Sequence, residues 1–462
     1  MRMAIIGAGA GGLAAAYDLR RAGHEVIVFE AAEHVGGLAA GFRTPRWDWT
    51  VEQYYHHWFA SDRHILGLIS ELGWSDKVLF PWPMTAVYHE GRFFPLDGPL
   101  SRLFPGRTWL DRMPGAGPLS RGLWLFRFPG LTWADKARYA LVALYLLLAP
   151  SWKPLERHTV HAWLQRWMGQ RCYETLWEPL LVGKFGPHYR EVNMAWFWAR
   201  VKARTPRLGT FEGGFQVFMD AFAHRLRAMG VDIRLNTSVR RITIKPEGGL
   251  ALELQGGEMA FDHCLTTTSP ALLARMAPQL PAEYLSQLLS LKSMGAVVMI
   301  LALRQRLSEQ GVYWHNLPKS AGFPFLALVE HTNFLPPEHF GGDAIVYCGD
   351  YLDPDHEYFS LTHDELLKRF LPTLTRFNPQ FKPDWVKESW LFRTPYAQPV
   401  PPLHHSRAIP DLKTPLSGLW LASMSQVYPW DRGTNFAVEV ARRAARRILE
   451  EGLTEQSLSD VH

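Results

Sequence analysis

The strongest constraint on this chain lies in its first thirty residues, MRMAIIGAGAGGLAAAYDLRRAGHEVIVFE. MAII is a short apolar run suited to a strand buried on both faces. GAGAGG follows, with Gly7, Gly9 and Gly12 in the pattern G-x-G-x-x-G. An Ala-rich stretch over about residues 10–22 predicts a helix, and Gly23 closes it. EVIVF predicts a second strand that ends in Glu30. Strand, glycine turn, helix, strand and terminal acid together form a dinucleotide-binding βαβ unit, far more specific than the glycines alone. Gly7 permits the tight turn, Gly9 lets backbone approach a pyrophosphate, and Gly12 lets the helix pack close to the strand. Ala10, Gly11 and Gly12 open the helix and offer N–H groups to phosphate. Glu30, with Ala31 beside it, can accept hydrogen bonds from a ribose.

The remaining composition narrows the class. The chain has 462 residues, enough for two or three lobes, with 47% hydrophobic and 20% charged residues. A net charge of +5 without a Lys/Arg-rich run excludes a nucleic-acid footprint. Its 19 tryptophans suit a pocket for a flat or greasy ligand, or an aromatic core. Cys172, Cys264 and Cys348 lie far apart, with neither metal-ligand nor disulfide spacing, and a reducing, cytoplasmic setting is expected. No signal peptide and no metal site are expected. The most apolar run, YALVALYLLLA at 139–149, is too short to span a bilayer.

Gly36-Gly37 comes six residues past Glu30, in EAAEHVGGLAAGF. A dinucleotide fold followed at once by such a pair resembles the flavoprotein superfamily of monoamine oxidase, protoporphyrinogen oxidase and phytoene desaturase. The resemblance implies FAD, with Gly36, Gly37 and Leu38 near its flavin side. His34 and Leu38 stand where that family commonly has arginines. EQYYHHWF, residues 52–59, lies over the family's D-x-G-x-H-x-F strand. Glu52 then takes the acid position, His56 the histidine and Trp58 the aromatic, and Tyr54 replaces glycine. Alternation along a strand would put Glu52, Tyr54, His56 and Trp58 on one face, His56 toward the flavin, and His57 on the other.

EGGFQVFMDAFAHRLRAMGVDIRL, from residue 212, resembles the unit that returns the chain to the FAD domain in that family, and the resemblance places the Val239 backbone near the adenine. At the C-terminus, GLWLA leads through SMSQVYPWDRGT into the helix NFAVEVARRAARRIL. The family caps its flavin here, which implicates Ser423, Asp431, Thr434 and Asn435; Ser423-Met424 replaces the usual Gly-Asp. A local Asp431–Arg432 ion pair is the other reading of that loop. The expected fold is α/β: a discontinuous Rossmann-type FAD-binding domain at 1–75, 206–275 and 405–462. A helical substrate domain at 76–205 and a substrate-domain sheet at 276–404 complete it. Helix 133–150 is read as buried, with a peripheral membrane contact the competing reading.

The resemblance implies hydride removal from a large apolar or conjugated small molecule. The candidate substrate-orienting residues are His56, Arg393, Tyr396, Tyr428 and Trp430. The strand GAVVMILAL lacks the lysine of amine oxidases, and Lys292 before it reads as a surface charge. Two further readings stay open. One is an enzyme similar to UDP-galactopyranose mutase, acting on a nucleotide-sugar without net redox change. The other is an FAD-binding protein without catalysis.

Overall fold

The computed structural model describes the backbone of residues 1–246 and 248–459, and side chains through residue 452. The βαβ unit forms as predicted. β1 (Arg2–Ile6) and β2 (Glu25–Phe29) flank helix α1 (Ala10–Arg21). Both strands are nearly wholly buried, which explains their unbroken apolar runs. They sit in a five-stranded parallel sheet in the order Asp232–Arg234, β2, β1, His263–Thr266, Leu419–Leu421. Segments more than 400 residues apart thus share one sheet. The C-terminal helix Thr434–Ser459 lies along α1, and the contact is close because the facing residues are small. A Cβ on Gly11 would lie 3.0 Å from the Ala437 carbonyl oxygen. Arg442 ties the helix down, pairing with Asp18 at 2.8 Å and Glu71 at 2.8 Å.

The second sheet is mixed and has seven strands. Their order is Val386–Pro399, Ser293–Leu303, Ala344–Leu352, Ala327–Glu330, Val312–Asn316, Met84–His89 and Arg92–Asp97. The last two fall in TAVYHEGRFFPL, a stretch broken by Gly and Pro that reads from the sequence as short strands ahead of the helices of 133–182. They are a hairpin that joins the later sheet through a parallel pairing with Val312–Asn316.

Helices occupy most of the remainder of 76–205, and one departs from expectation. Trp133–Leu148 is not buried: Trp133 is 66% exposed, Leu141 67% and Leu148 71%. Phe104, Trp109, Met113, Leu119, Phe126 and Trp167 are also exposed on neighbouring elements. Among the described residues, no helix is long and apolar enough to cross a membrane. Cys172, Cys264 and Cys348 are buried free thiols.

A Cβ on Gly12 would lie 1.9 Å from the Gly7 carbonyl oxygen. Gly12→Ala should therefore lower stability by about 1–3 kcal/mol or more. Gly67, in helix Arg63–Glu71, has open space around a Cβ. Gly67→Ala should leave stability unchanged or raise it by about 0.5–1 kcal/mol. Thermal unfolding of the two variants measures the contrast, and equal melting temperatures would refute it.

Candidate active site

The phosphate cradle is built from backbone. Gly7 has φ +105°, and a Cβ there would meet Thr267 Oγ1 at 2.5 Å. Gly9 is the N-cap of α1 and has no polar side group to cap with, so the first N–H groups of the helix are left for a ligand. The glycine pair lies against this turn. Gly36 bridges Gly9, its N–H donates to the Ala8 carbonyl at 2.9 Å, and a Cβ on Gly37 would stand 3.4 Å from Gly9 Cα. Gly36 and Gly37 both have positive φ. Glu30 joins the two loops, accepting from the Ala8 N–H at 2.8 Å and the Ala32 N–H at 2.9 Å. Each carboxylate oxygen keeps a lone pair for a ribose hydroxyl. Asn236 and Thr237 bond back to Ala32 and Glu30, which brings the 236–239 segment alongside. The Val239 side chain packs under the sheet with the Ile242 cluster.

EQYYHHWF does not alternate as a strand. Only Val51–Glu52 and Trp58–Phe59 are extended and paired; the residues between are irregular. The register laid over them is therefore corrected. Glu52 is buried away from the cleft, and its Oε1 accepts from the Phe215 N–H at 3.0 Å. Burial pushes its carboxyl up to about 7, against the pull of that N–H. Trp58 is buried too, and its Nε1 donates to Thr434 Oγ1 at 2.8 Å. Tyr54, Tyr55 and His56, adjacent in sequence, all line one cleft. His56 Nδ1 bonds the Tyr54 carbonyl, which can only accept, so Nδ1 carries the proton and the neutral ring keeps a lone pair on Nε2. Burial holds His56 down to about 4. His57 faces elsewhere, and its Nδ1 is buried without a partner.

The cleft has an empty volume of about 350 Å³. Leu38, from the glycine-pair turn, forms one wall. Ala296, Val298, Tyr351, Thr394 and Ala397, from three strands of the mixed sheet, form the opposite side, and Arg432 reaches in from the C-terminal loop. The cleft thus lies where the two sheets meet, next to the glycine cradle.

Several sequence candidates prove to be held elsewhere. Arg393 donates to the Leu361 carbonyl. The Tyr396 hydroxyl is bonded to Ser423 Oγ at 2.9 Å and Ser425 Oγ at 2.7 Å, which fixes the strand to the final loop. Ser423 caps its own short turn. Tyr428 packs edge-on against Trp152 and His405, and Trp430 stacks on Phe436. Asn435 Oδ1 accepts from the His64 and Ile65 N–H groups, capping the helix Arg63–Glu71. Asp431 pairs neither with the cradle nor with the Arg432 side chain. It meets Lys184 at 3.0 Å, Arg200 at 3.5 Å and Trp196 Nε1 at 3.2 Å. Burial would raise its carboxyl, but Lys184 and Arg200 hold it down to about 2. Arg432 turns the other way, donating to Gln398 Oε1 at 3.0 Å and to the Tyr351 hydroxyl. Sequence reasoning overlooked Arg432, Lys184 and Tyr351 as site residues. The one available signal was an arginine in the flavin-capping loop.

Residues 10–449 match the model of the flavin containing amine oxidoreductase family. The chain belongs to that family. It is a flavin-dependent oxidoreductase, and the uncapped α1 and the glycine-on-glycine cradle fit FAD in a way that side chains at those positions would block. It is 24% identical over 336 residues to coproporphyrinogen III oxidase of Propionibacterium freudenreichii, covering 61% of this chain and 59% of that protein. It is 22% identical to a 15-cis-phytoene desaturase of Narcissus pseudonarcissus, covering 82% of this chain and 66% of that protein. The crystal structure of a protein proposed to be a protoporphyrinogen oxidase, from Exiguobacterium sp. 255-15, superposes with a TM-score of 0.73 at 19% identity, over 97% of this chain and 99% of that one. Members of the flavin containing amine oxidoreductase family share the two-sheet plan seen here. Among the described residues, no three His, Cys, Asp or Glu side chains converge as metal ligands.

The raised Glu52 carboxyl makes a pH prediction. Its ordinary value is 4.5 and its folded value about 7. The folded protein holds this proton more tightly than the unfolded one. The contribution to stability is therefore full below pH 4.5 and is lost as pH rises through 7. Glu52→Gln should stabilise the fold over wild type at pH 8 by on the order of a few kcal/mol, read as a higher melting temperature, and little near pH 5. A difference independent of pH would count against this account.

Proposed function

We propose that this enzyme oxidises a large, conjugated or apolar small molecule by removing hydride from a ring or aliphatic C–H bond. Bound FAD supplies the hydride acceptor. The observation that carries the reading is the composition of the cleft: Tyr54, Tyr55, Tyr351, Leu38, Ala296 and Val298 present rings and aliphatic carbon to whatever enters. Such walls hold a flat molecule against the cofactor and exclude water from the reacting carbon. An amine substrate fits less well. The strand Ser293–Leu303 brings Ala296 and Val298 to the cleft, while Lys292 lies at the surface, paired with Glu191 at 3.1 Å. The partial match to a coproporphyrinogen oxidase favours a porphyrinogen among conjugated substrates. Purified protein should be yellow, and anaerobic addition of coproporphyrinogen III should bleach the flavin band. A protein that stays colourless with added FAD refutes the reading. Turnover of UDP-galactopyranose only after dithionite reduction would favour the mutase-like alternative.

A second proposal concerns where the substrate is met. The exposed apolar side chains of 104–167 form a face suited to an anionic bilayer surface. Residues 100–171 hold eleven Lys and Arg against three acids. The acids are already engaged inside the protein: Asp111 by Ser101, Asp135 by Thr132 and Glu156 by Ser406. The segment therefore combines exposed apolar area with a surplus of positive charge, the combination that binds anionic membranes. The protein should float with vesicles of phosphatidylcholine and phosphatidylglycerol and not with phosphatidylcholine alone. A triple Leu141→Glu, Leu144→Glu, Leu148→Glu variant should stay in solution. Wild-type protein that dimerises through this face and ignores both vesicles would overturn the proposal.

A further inference from the structure

Hydride removal leaves one polar lone pair of the cleft unused. His56 lines the cleft together with Tyr54 and Tyr55. Its Nδ1–H is committed to the Tyr54 carbonyl, which fixes both the ring and its tautomer. Nε2 keeps a lone pair and, among the described residues, has no hydrogen-bond partner. The Phe215 ring, 6.0 Å away between centroids, offers it only hydrocarbon. Two donors that line the same cleft are engaged elsewhere. Arg432 donates to Gln398 Oε1 at 3.0 Å and to the Tyr351 hydroxyl, and Thr394 Oγ1 donates to the Tyr396 carbonyl at 3.3 Å.

An acceptor desolvated among rings is costly to leave unpaired. Water can satisfy it while the cleft stands open. An occupant that displaces the water has to bring a donor of its own. A polyene hydrocarbon has none, whereas a conjugated ring that carries N–H has. The electrostatics agree with a neutral acceptor. Burial holds the imidazole down to about 4, and Arg432 adds to it against the pull of the Tyr54 carbonyl. So weak a base takes a proton only from a group that the reaction has made acidic. Hydride leaving a carbon in conjugation with N–H creates such a group, because the cation left behind makes that N–H a strong acid. A cation between aromatic walls and beside Arg432 is poorly solvated, so its proton has to depart as the hydride does.

We propose that His56 Nε2 is the proton acceptor of the reaction, and that the substrate carries an N–H in conjugation with the carbon that is oxidised. This rests on the flavoenzyme reading and narrows it to conjugated nitrogen compounds, excluding polyene hydrocarbons. The C–H bond breaks with its electron pair, and the hydride goes to bound FAD. The N–H bond breaks toward His56, and its electron pair stays on nitrogen and closes a neutral conjugated system. The substrate has then lost two electrons and two hydrogens, one as hydride to the cofactor and one as a proton on His56. Burial and Arg432 make that imidazolium a strong acid, and it yields the proton to water when the product leaves.

The test uses full-length, FAD-loaded protein under anaerobic conditions. Its two compounds are coproporphyrinogen III, which carries pyrrole N–H groups, and phytoene, which carries none. Coproporphyrinogen III should bleach the flavin band, more slowly in D2O than in water, and phytoene should not bleach it. His56→Gln keeps an acceptor but no base. It should bind coproporphyrinogen III about as tightly as wild type and bleach roughly a hundredfold more slowly. Imidazole added to His56→Ala should restore part of the lost rate, which it would not do for a merely structural defect. A further readout needs no turnover: nitrogen NMR of histidine-labelled protein should show the signal lost in His56→Gln to be an Nδ1–H tautomer. Its Nε2 resonance should shift when coproporphyrin III is added. The isotope effect and the comparison of the two compounds stand on wild type even if a variant fails to fold. An Nε2–H tautomer, a His56→Gln rate equal to wild type, bleaching by phytoene, or a yellow protein that neither compound bleaches overturns the proposal. Bleaching by phytoene alone would leave the flavoenzyme reading standing, whereas a protein colourless with added FAD overturns both.

Discussion

Backbone lying directly on backbone at the glycines is the contact on which the rest of this structure depends. Gly12 sits under the Gly7 carbonyl, Gly37 against Gly9, and Gly11 against the Ala437 carbonyl. The Gly12 and Gly11 contacts have room for hydrogen and little else, and Gly37 is favoured instead by its φ of +55°. Together they hold a helix N-terminus, a second loop and the last helix of the protein around one volume. The uncapped N–H groups at that end of α1 are tolerable because a phosphate can take them. A site of this kind offers the cofactor its dipole and its shape at once.

The same packing explains why the nucleotide sheet is assembled from distant parts of the sequence. Leu419–Leu421 completes the parallel sheet and delivers the loop that carries Asp431 and Arg432. Trp58 Nε1 on Thr434 and Asn435 on His64 and Ile65 then link the start of the final helix to the first quarter of the sequence. These bonds use side chains that sequence reasoning assigned to the cofactor. Their work is to hold the flavin-side loops in register, which is a precondition for the chemistry rather than part of it.

The two charged residues of that loop divide between neighbours. Asp431 faces inward to Lys184 and Arg200, and Arg432 faces the cleft. Adjacent residues in an irregular loop are not bound to alternate, so neither spacing nor composition could assign them. The octet EQYYHHWF makes the same point. Strand alternation separates Tyr54 from Tyr55, but an irregular stretch lets both line the cleft with His56. The two histidines do part, as adjacent side chains commonly do. The reason is a kinked backbone and a His56 bond to the Tyr54 carbonyl, not a pleat.

By itself the sequence determined the nucleotide fold, the family resemblance, FAD and the discontinuity of the FAD-binding sheet. The nucleotide fold rests on local rules: glycines where Cβ atoms cannot fit, apolar runs that must be buried, and an acid at a strand end; FAD and the discontinuity follow from the family resemblance carried by Gly36-Gly37 and the C-terminal segment. Only the tertiary structure decided which polar groups are free for a ligand. Tyr396 and Asn435 are occupied by Ser423, Ser425, His64 and Ile65, whereas Arg432, bonded to Gln398 and Tyr351, lines the cleft. It also decided that the helix Trp133–Leu148 is exposed, since a helix apolar on most sides reads alike whether it meets core or open surface. Both outcomes depend on partners brought together by long-range packing, and no local pattern encodes them.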